Sequence, residues 1–409
     1  MKCGLLGRKL GHSYSPAIHA HLGNYKYDLY EKEPEELEAF LRSEDWDGLN
    51  VTMPYKQAVI PYLDELTPIA QEVDAVNTIV RRNGKLIGVN TDYWGFHAMV
   101  SESRLDLWGK KCLVLGSGGA SKVVQAVLKM YGADIVVVSR SGENNYENLG
   151  LHKDASVIVN TTPVGMYPET GVSPVDLCLF PHLEGVLDVI YNPARTQLLL
   201  EAERRGIVAV NGLTMLVAQA RDAANWFTDS IIPDERIAQI HGFLRGKMEN
   251  IVLIGMPGCG KSTIGQMLAE KSGKRFVDAD VEIAVLANKS IPQIFAEDGE
   301  NVFRTLETQV LETLGKQSGL VIATGGGCVT RQENYPLLHQ NGRIFWLQRS
   351  LEKLPKEGRP LSKNLAEMYA VRAGQYARFA DHIIDNNGIP EKAVAEIGDC
   401  HASVPTGSQ

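Results

Sequence analysis

An α/β architecture in two parts is predicted for this chain from three observations. Residues 251–254 form a short apolar run that leads into Gly255-Met256-Pro257-Gly258-Cys259-Gly260-Lys261-Ser262-Thr263 and then into a helical pattern. Strand, G-x-x-x-x-G-K-[ST] loop and helix stand there in the order of a P-loop. Upstream, the apolar run Lys111–Leu115 leads into Gly116-Ser117-Gly118-Gly119-Ala120-Ser121, a helix to about Met130, and a second run at Ile135–Val138. That is a βαβ unit of Rossmann type, with Ser121 where the strict fingerprint has its third glycine. Finally, short apolar runs ending in Asn, Thr or Asp recur through the first half. Open α/β sheets hold their ligands at such strand ends.

Composition bounds the function. The chain has 409 residues, 44% hydrophobic and 22% charged, enough for two or three cores. No apolar run approaches the roughly 18–20 residues a membrane helix needs. Arg8 and Lys9 interrupt the first apolar stretch, so no secretory signal is expected. Six scattered cysteines without a C-x-x-C point away from a disulfide framework or a zinc site. His12, His19 and His21 are too irregularly spaced for a ligand set and read as structural or incidental. A reduced, cytoplasmic protein is expected. The net charge of −8 argues against a nucleic-acid surface.

The elements follow in order. The strand Lys2–Leu6 precedes Ser13, Ser15 and a helix whose first position is read as Pro16; Ser15 could simply cap it. A strand near Tyr27–Tyr30 and an acidic helix from Pro34 to about Arg42 come next. The strand Asn50–Thr52 stops at Pro54, which leaves Thr52 and Lys56 at a sheet edge, although a lone lysine there is more often solvated. Asn77-Thr78 and Asn90-Thr91-Asp92 are polar strand ends, readable as turns or as a rim for a polyol. Arg140 stands between Ser139 and Ser141 at the end of the second strand of the βαβ unit. An arginine there suits a ribose 2′-phosphate and favours NADP over NAD. Strands with polar ends are read at Val157–Thr162 and Asp188–Pro193, and Gly212 precedes a helix carrying Gln219. Residues 246–250 read as a short polar connector. Beyond it, Asp278 and Asp280 end a strand on alternate faces, one toward Mg²⁺ and the other toward an acceptor. Arg304 and Glu307 have the spacing of a helix-surface ion pair. Gly325-Gly326-Gly327 ends another strand, and three glycines imply a close approach of backbone to a ligand.

Taken together, these motifs resemble two families. Ser13 and Ser15, Asn50-Val51-Thr52-Met53-Pro54-Tyr55-Lys56, Ala75-Val76-Asn77-Thr78, Asn90-Thr91-Asp92, the glycine loop at 116–120, Tyr191-Asn192-Pro193, Gly212 and Gln219 resemble shikimate dehydrogenase. The P-loop, Asp278-Ala279-Asp280, Phe303-Arg304, Gly325-Gly326-Gly327, Arg359-Pro360-Leu361 and Arg372 resemble shikimate kinase. The resemblance implies a two-lobed α/β dehydrogenase over residues 1–247. Residues 1–92 and about 220–245 would form its substrate lobe, and about 93–219 a Rossmann NADP lobe. It implies a P-loop kinase domain with a parallel sheet over 249–400, and a tail at 401–409.

Apart from Arg140 and the P-loop residues Lys261 and Ser262, whose motifs already suggest phosphate and Mg²⁺ contacts, residue roles follow from the resemblance. Ser13, Ser15, Thr52, Asn77, Tyr191 and Gln219 would bind a polyol substrate, with Lys56 and Asp92 as catalytic pair. NADP(H) would rest on Gly116, Ser117, Gly118, Gly119, Ala120, Ser139, Arg140, Ser141, Val189 and Gly212. Gly258, Cys259, Gly260, Lys261, Ser262 and Thr263 would hold ATP, with Ser262 and Asp278 on Mg²⁺. Asp280, Arg304, Gly326 and Arg372 would bind shikimate, and Lys261 and Arg359 would neutralise transferred charge. The implied reactions are NADPH-dependent reduction of 3-dehydroshikimate and phosphorylation of its product. Ser117, Ser139 and Gly374-Gln375-Tyr376 depart from the family patterns. Two alternatives stay open: a non-catalytic metabolite sensor, and a quinate-type dehydrogenase joined to a differently specific kinase. The expected partners are small molecules, without nucleic acid or membrane; homo-oligomerisation is left open.

Overall fold

Two sheets build the first part of the chain. Strands β1 (Lys2–Gly7), β2 (Lys26–Glu31), β3 (Gly48–Val51), β4 (Glu65–Leu66), β5 (Thr78–Arg82) and β6 (Lys85–Val89) form a sheet of order β2-β1-β3-β5-β6-β4. Only β5 runs antiparallel to its neighbours, through the tight β5–β6 hairpin. The second sheet holds β7 (Lys111–Leu115), β8 (Asp134–Val138), β9 (Val157–Asn160), β10 (Gly185–Asp188) and β11 (Val208–Asn211), all parallel in the order β11-β10-β9-β7-β8. Cys112, Leu113, Val114 and Leu115 are wholly buried, as a parallel strand covered on both faces requires. The strand order reverses between β7 and β9, and the crevice beyond their C-terminal ends is where such sheets take ligands.

The computed structural model describes residues 1–11, 13–354 and 365–402. It divides into two units: Met1–Met166, Val172–Tyr191 and Leu198–His241, and then Tyr167–Gly171, Asn192–Gln197 and Gly242–Gln409. In the first unit, the helices Asp92–Ser103 and Leu213–Thr228 pack closely at Gly95, where a Cβ would lie 2.7 Å from Met215 O. In the second, β12 (Asn250–Ile254), β13 (Arg275–Asp278), β14 (Leu320–Ala323), β15 (Gly342–Gln348) and β16 (His382–Asp385) form a parallel sheet of order β13-β14-β12-β15-β16. The strand that feeds the P-loop is therefore central. No helix among the described residues is long and apolar enough to cross a membrane.

Four sequence expectations are corrected. The polar connector is helical: Glu235–Met248 is one helix, and only Glu249 separates it from β12. Half-buried Lys274 explains this, since its Nζ donates to the carbonyls of Gly246 (2.6 Å), Lys247 (3.1 Å) and Glu249 (2.8 Å) at the helix end. The strand expected at Asp188–Pro193 ends at Asp188, because β10 pairs with β9 and β11 only over Gly185–Asp188. Asp278 and Asp280 do not alternate on one strand. Asp278 closes β13 and caps the helix Ala279–Ala287, its Oδ1 accepting from Asp280 N at 3.1 Å, so Asp280 is already helical. Ser15 does not cap the helix Ser15–His19, which it opens behind Tyr14; Ser13 Oγ accepts the Ser15 N–H instead, at 3.2 Å.

Candidate active sites

The short helix Tyr55–Ala58 carries Lys56 past the end of β3, anchored by buried Tyr55, whose hydroxyl donates to Lys32 O. Asp92 opens the helix Asp92–Ser103, and Lys56 Nζ donates to its Oδ2 at 2.7 Å. The two side chains are 31% and 15% exposed, so the pair is shielded yet reachable. Its surroundings fix it. Asn77 Oδ1 accepts from Thr91 N at 2.7 Å, and Asn90 donates to Ala75 O at 2.9 Å, which locks the turn that presents Asp92. Asn77 Nδ2 faces Gln219 Oε1 at 3.5 Å, which brings in a residue 142 positions away. Lys56, Asp92, Asn77 and Gln219 thus share one edge. Tyr191 reaches the Ser13–Ser15 segment through an edge-to-face contact with Tyr14, with ring centres 6.3 Å apart. Thr52 follows β3, and among the described residues no hydrogen bond ties it, Ser13, Ser15 or Tyr191 to the Lys56 pair. An ammonium held against a carboxylate at a polar edge can donate a proton or steady a developing alkoxide.

At the second sheet, Gly116 turns at φ 105°, and a Cβ on it would meet Thr161 Oγ1 at 2.8 Å. The helix Gly119–Met130 starts there, and Cβ atoms on Gly118 and Gly119 would meet nothing within 4 Å. An open cradle at a helix start fits a dinucleotide phosphate. Ser121 is buried and accepts from Gln125 Nε2 at 3.0 Å, which suits the small residue the fold needs there. Gly212 meets Val189 directly: a Cβ would lie 2.0 Å from Val189 O. Ser139 N is held by Asn144 O at 3.1 Å, and Arg140 and Ser141 are exposed beside it. Among the described residues, Arg140 makes no ion pair.

In the second unit, the P-loop runs through left-handed Gly260 (φ 101°) into the helix Lys261–Ser272. Lys261 Nζ is parked on Gly255 O (2.9 Å) and Met256 O (3.2 Å), and Ser262 Oγ donates to Asp278 Oδ2 at 2.7 Å. A hydroxyl and a carboxylate in contact beside a phosphate loop fit a Mg²⁺ site, as the donor set requires. Among the described residues there is no cluster of three or more His, Cys, Asp or Glu able to hold a metal. Asn386 Nδ2 donates to Cys259 O at 2.6 Å and steadies the loop from the end of β16. Sequence reading missed this residue, whose only signal was one more polar strand end.

The glycine triplet has three different neighbours. A Cβ on Gly325 would lie 2.6 Å from Glu307 Oε1 and 2.8 Å from Asp280 Oδ1; one on Gly326 would meet Pro257; one on Gly327 would lie 2.2 Å from Arg304 Nη2. Arg304 is bound by Glu307 at 2.7 Å and Glu300 at 3.1 Å. The expected surface pair is buried instead: Glu307 is fully covered, and its Oε1 has no partner among the described residues. Burial pushes the Glu307 carboxyl up, Asp280 adds to this, and Arg304 opposes it. Burial works against the Arg304 charge, but the two glutamates outweigh it and hold it protonated. Arg372 Nη1 donates to Gly326 O at 3.0 Å, beside the Tyr376 hydroxyl on the same carbonyl. Asp280, Arg304 and Arg372 therefore gather around the glycine triplet, next to Pro257 of the P-loop. Arg359 lies outside the described residues.

These features define a class: an α/β dehydrogenase joined in one chain to a P-loop phosphotransferase. Residues 257–401 match the shikimate kinase family, and residues 5–79 match the shikimate dehydrogenase substrate binding domain. A shikimate dehydrogenase (NADP(+)) of Symbiobacterium thermophilum is 38% identical over 258 residues, covering 55% of this chain and 88% of that protein. Among solved structures, a chorismate mutase/shikimate 5-dehydrogenase fusion protein from Clostridium acetobutylicum matches with a TM-score of 0.58 and 38% identity, over 60% of this chain and 97% of that one. Shikimate 5-dehydrogenase from Thermus thermophilus, solved with NADP(H) and shikimate, matches at 30% identity and a TM-score of 0.54, over 59% of this chain and 98% of that one. The chain belongs to the shikimate dehydrogenase family, and its second unit carries a shikimate kinase domain. It is a shikimate-pathway enzyme with two catalytic domains.

Proposed function

We propose that the first unit reduces 3-dehydroshikimate to shikimate and that the second phosphorylates shikimate to shikimate 3-phosphate. The observation that carries this reading is the Lys56–Asp92 pair, 2.7 Å apart and sharing an edge with Asn77 and Gln219. NADPH, held along the glycine loop with its 2′-phosphate on Arg140, supplies the hydride. The open cradle at Gly118 and Gly119 supports that placement, as does the relatives' NADP(+) designation. The Lys56 ammonium meets the developing alkoxide, Asp92 holds Lys56 in place and accepts from a ring hydroxyl, and Asn77, Gln219, Thr52, Ser13, Ser15 and Tyr191 read the remaining polar groups.

ATP with Mg²⁺, held by the P-loop with Ser262 and Asp278, supplies the phosphoryl group. Asp280 orients the 3-hydroxyl, while Arg304 and Arg372 take the acceptor carboxylate. Glu307 keeps Arg304 charged and fixed in direction. Lys261 leaves its carbonyl rests for the phosphates, and Arg359 adds charge neutralisation.

Paired variants test the assignment. Lys56→Met should lower the kcat of NADPH oxidation at least about 100-fold and leave ADP release from added shikimate unchanged. Lys261→Met should do the reverse. Loss of both activities in either variant, or of neither, contradicts the proposed division of labour.

A further inference from the structure

We propose that Asp74 is a positioning residue that ties the cofactor-loop helix to the helix carrying Lys56, and so couples dinucleotide binding to substrate binding in the first unit. The inference rests on the dehydrogenase reading above. Asp74 follows the helix Pro68–Val73 at φ 51°, ψ 46°, a left-handed conformation that strains an aspartate and that glycine adopts freely. What the aspartate adds is its side chain. Asp74 Oδ2 accepts from Gln57 Nε2 at 2.8 Å and from Lys122 Nζ at 3.0 Å. Gln57 Nε2 also reaches Asp74 O at 3.2 Å, and Val76 N donates to Lys56 O at 2.7 Å. The stretch from Asp74 to Val76 therefore grips Lys56-Gln57 through both backbone and side chains.

Lys122 lies in the first turns of the helix Gly119–Met130, its N–H directed at Gly118 O at 3.3 Å. One carboxylate thus touches the two elements whose alignment hydride transfer demands: the start of the phosphate-binding helix and the turn that aims Lys56. The bridge is charged at working pH, since Lys122 holds the Asp74 carboxyl below its ordinary range. Lys122 and Asp74 are 42% and 62% exposed, so solvent screens the pair and keeps it weak enough to make and break in each turnover. Substrate that orders the Lys56 turn also orders Asp74, and through Lys122 the phosphate site. Linkage then makes each ligand tighten the other by the same factor.

The test is a fluorescence titration of NADPH into the full chain, without and with saturating shikimate, two ligands that cannot react together. In the wild type, shikimate should lower the Kd of NADPH about three- to fivefold, the range an exposed ion pair can transmit. Asp74→Gly and Lys122→Met should each bring that ratio to about one. Asp74→Gly should also melt no lower than wild type, because glycine relieves the left-handed strain. A residue that only stabilised the fold would lower Tm and leave the ratio alone. The proposal is overturned by a wild-type ratio of one, or by a ratio unchanged in both variants. Absence of any NADPH binding by the wild type would instead overturn the dehydrogenase reading, and is seen before any ratio is taken.

Discussion

His19 stacks on Tyr27 with ring centres 4.0 Å apart, meets the Tyr25 hydroxyl at 2.6 Å, and burial drives its pKa down to about 3. It stays neutral in the folded chain, while the unfolded chain protonates it below its ordinary 6.5. Folded protein therefore binds fewer protons between these values, and stability falls as pH drops through that window. Asp222 has the opposite sign. Burial raises its carboxyl from 3.8 to about 6, so the folded state keeps the proton longer and stability falls as pH rises through that interval. Denaturant unfolding at several pH values should show His19→Gln recovering about 2 kcal/mol of the loss between pH 7 and pH 5. Asp222→Asn should gain on the order of 1–3 kcal/mol at pH 7 relative to pH 4. Unchanged slopes in these variants would contradict the assignments. Neither environment was legible in the sequence: His19 owes its burial partly to Phe227, on a helix some 200 positions later, and Asp222, half-buried with its Oδ2 covered, sits on a helix whose covered face is set by tertiary packing. Glu307 was misread for the same reason. The placement of Lys56 and Asp92 beyond strand ends was legible, because each follows an apolar run, whereas their roles came from the resemblance alone.

At the scale of elements, the two glycine loops were readable because strand, loop and helix are contiguous in the chain. What failed were ends decided by distant groups: Lys274, 26 residues past Met248, caps the helix that was read as a connector, and the Asp278 side chain turns the following residues helical. The glycines divide by space. Gly212 has no room, since a Cβ there would stand 2.0 Å from Val189 O, whereas one on Gly118 would meet nothing within 4 Å. Gly212→Ala should therefore cost about 2–3 kcal/mol of stability. Gly118→Ala should stay within about 0.5 kcal/mol of wild type in chemical denaturation while raising the KM for NADPH, because its methyl would stand in the phosphate cradle. Equal stability losses in the two variants would contradict this division between packing and ligand space.

For the whole molecule, one chain carries two polar constellations of different construction. One is an ion pair rimmed by amides; the other is a P-loop beside a cluster of arginines and carboxylates. Their families were legible from the number and order of motifs, and the matches over residues 5–79 and 257–401 agree with that reading. The chemistry proposed for the first unit yields the acceptor proposed for the second. The most direct measurement combines 3-dehydroshikimate, NADPH, ATP and Mg²⁺ in one vessel and follows NADPH loss and ADP release together. The account predicts that ADP release lags NADPH oxidation, ends at the same total when 3-dehydroshikimate is limiting, and is absent when NADPH is withheld. ADP release that ignores NADPH, or NADPH loss with no ADP even after shikimate is added, would contradict it.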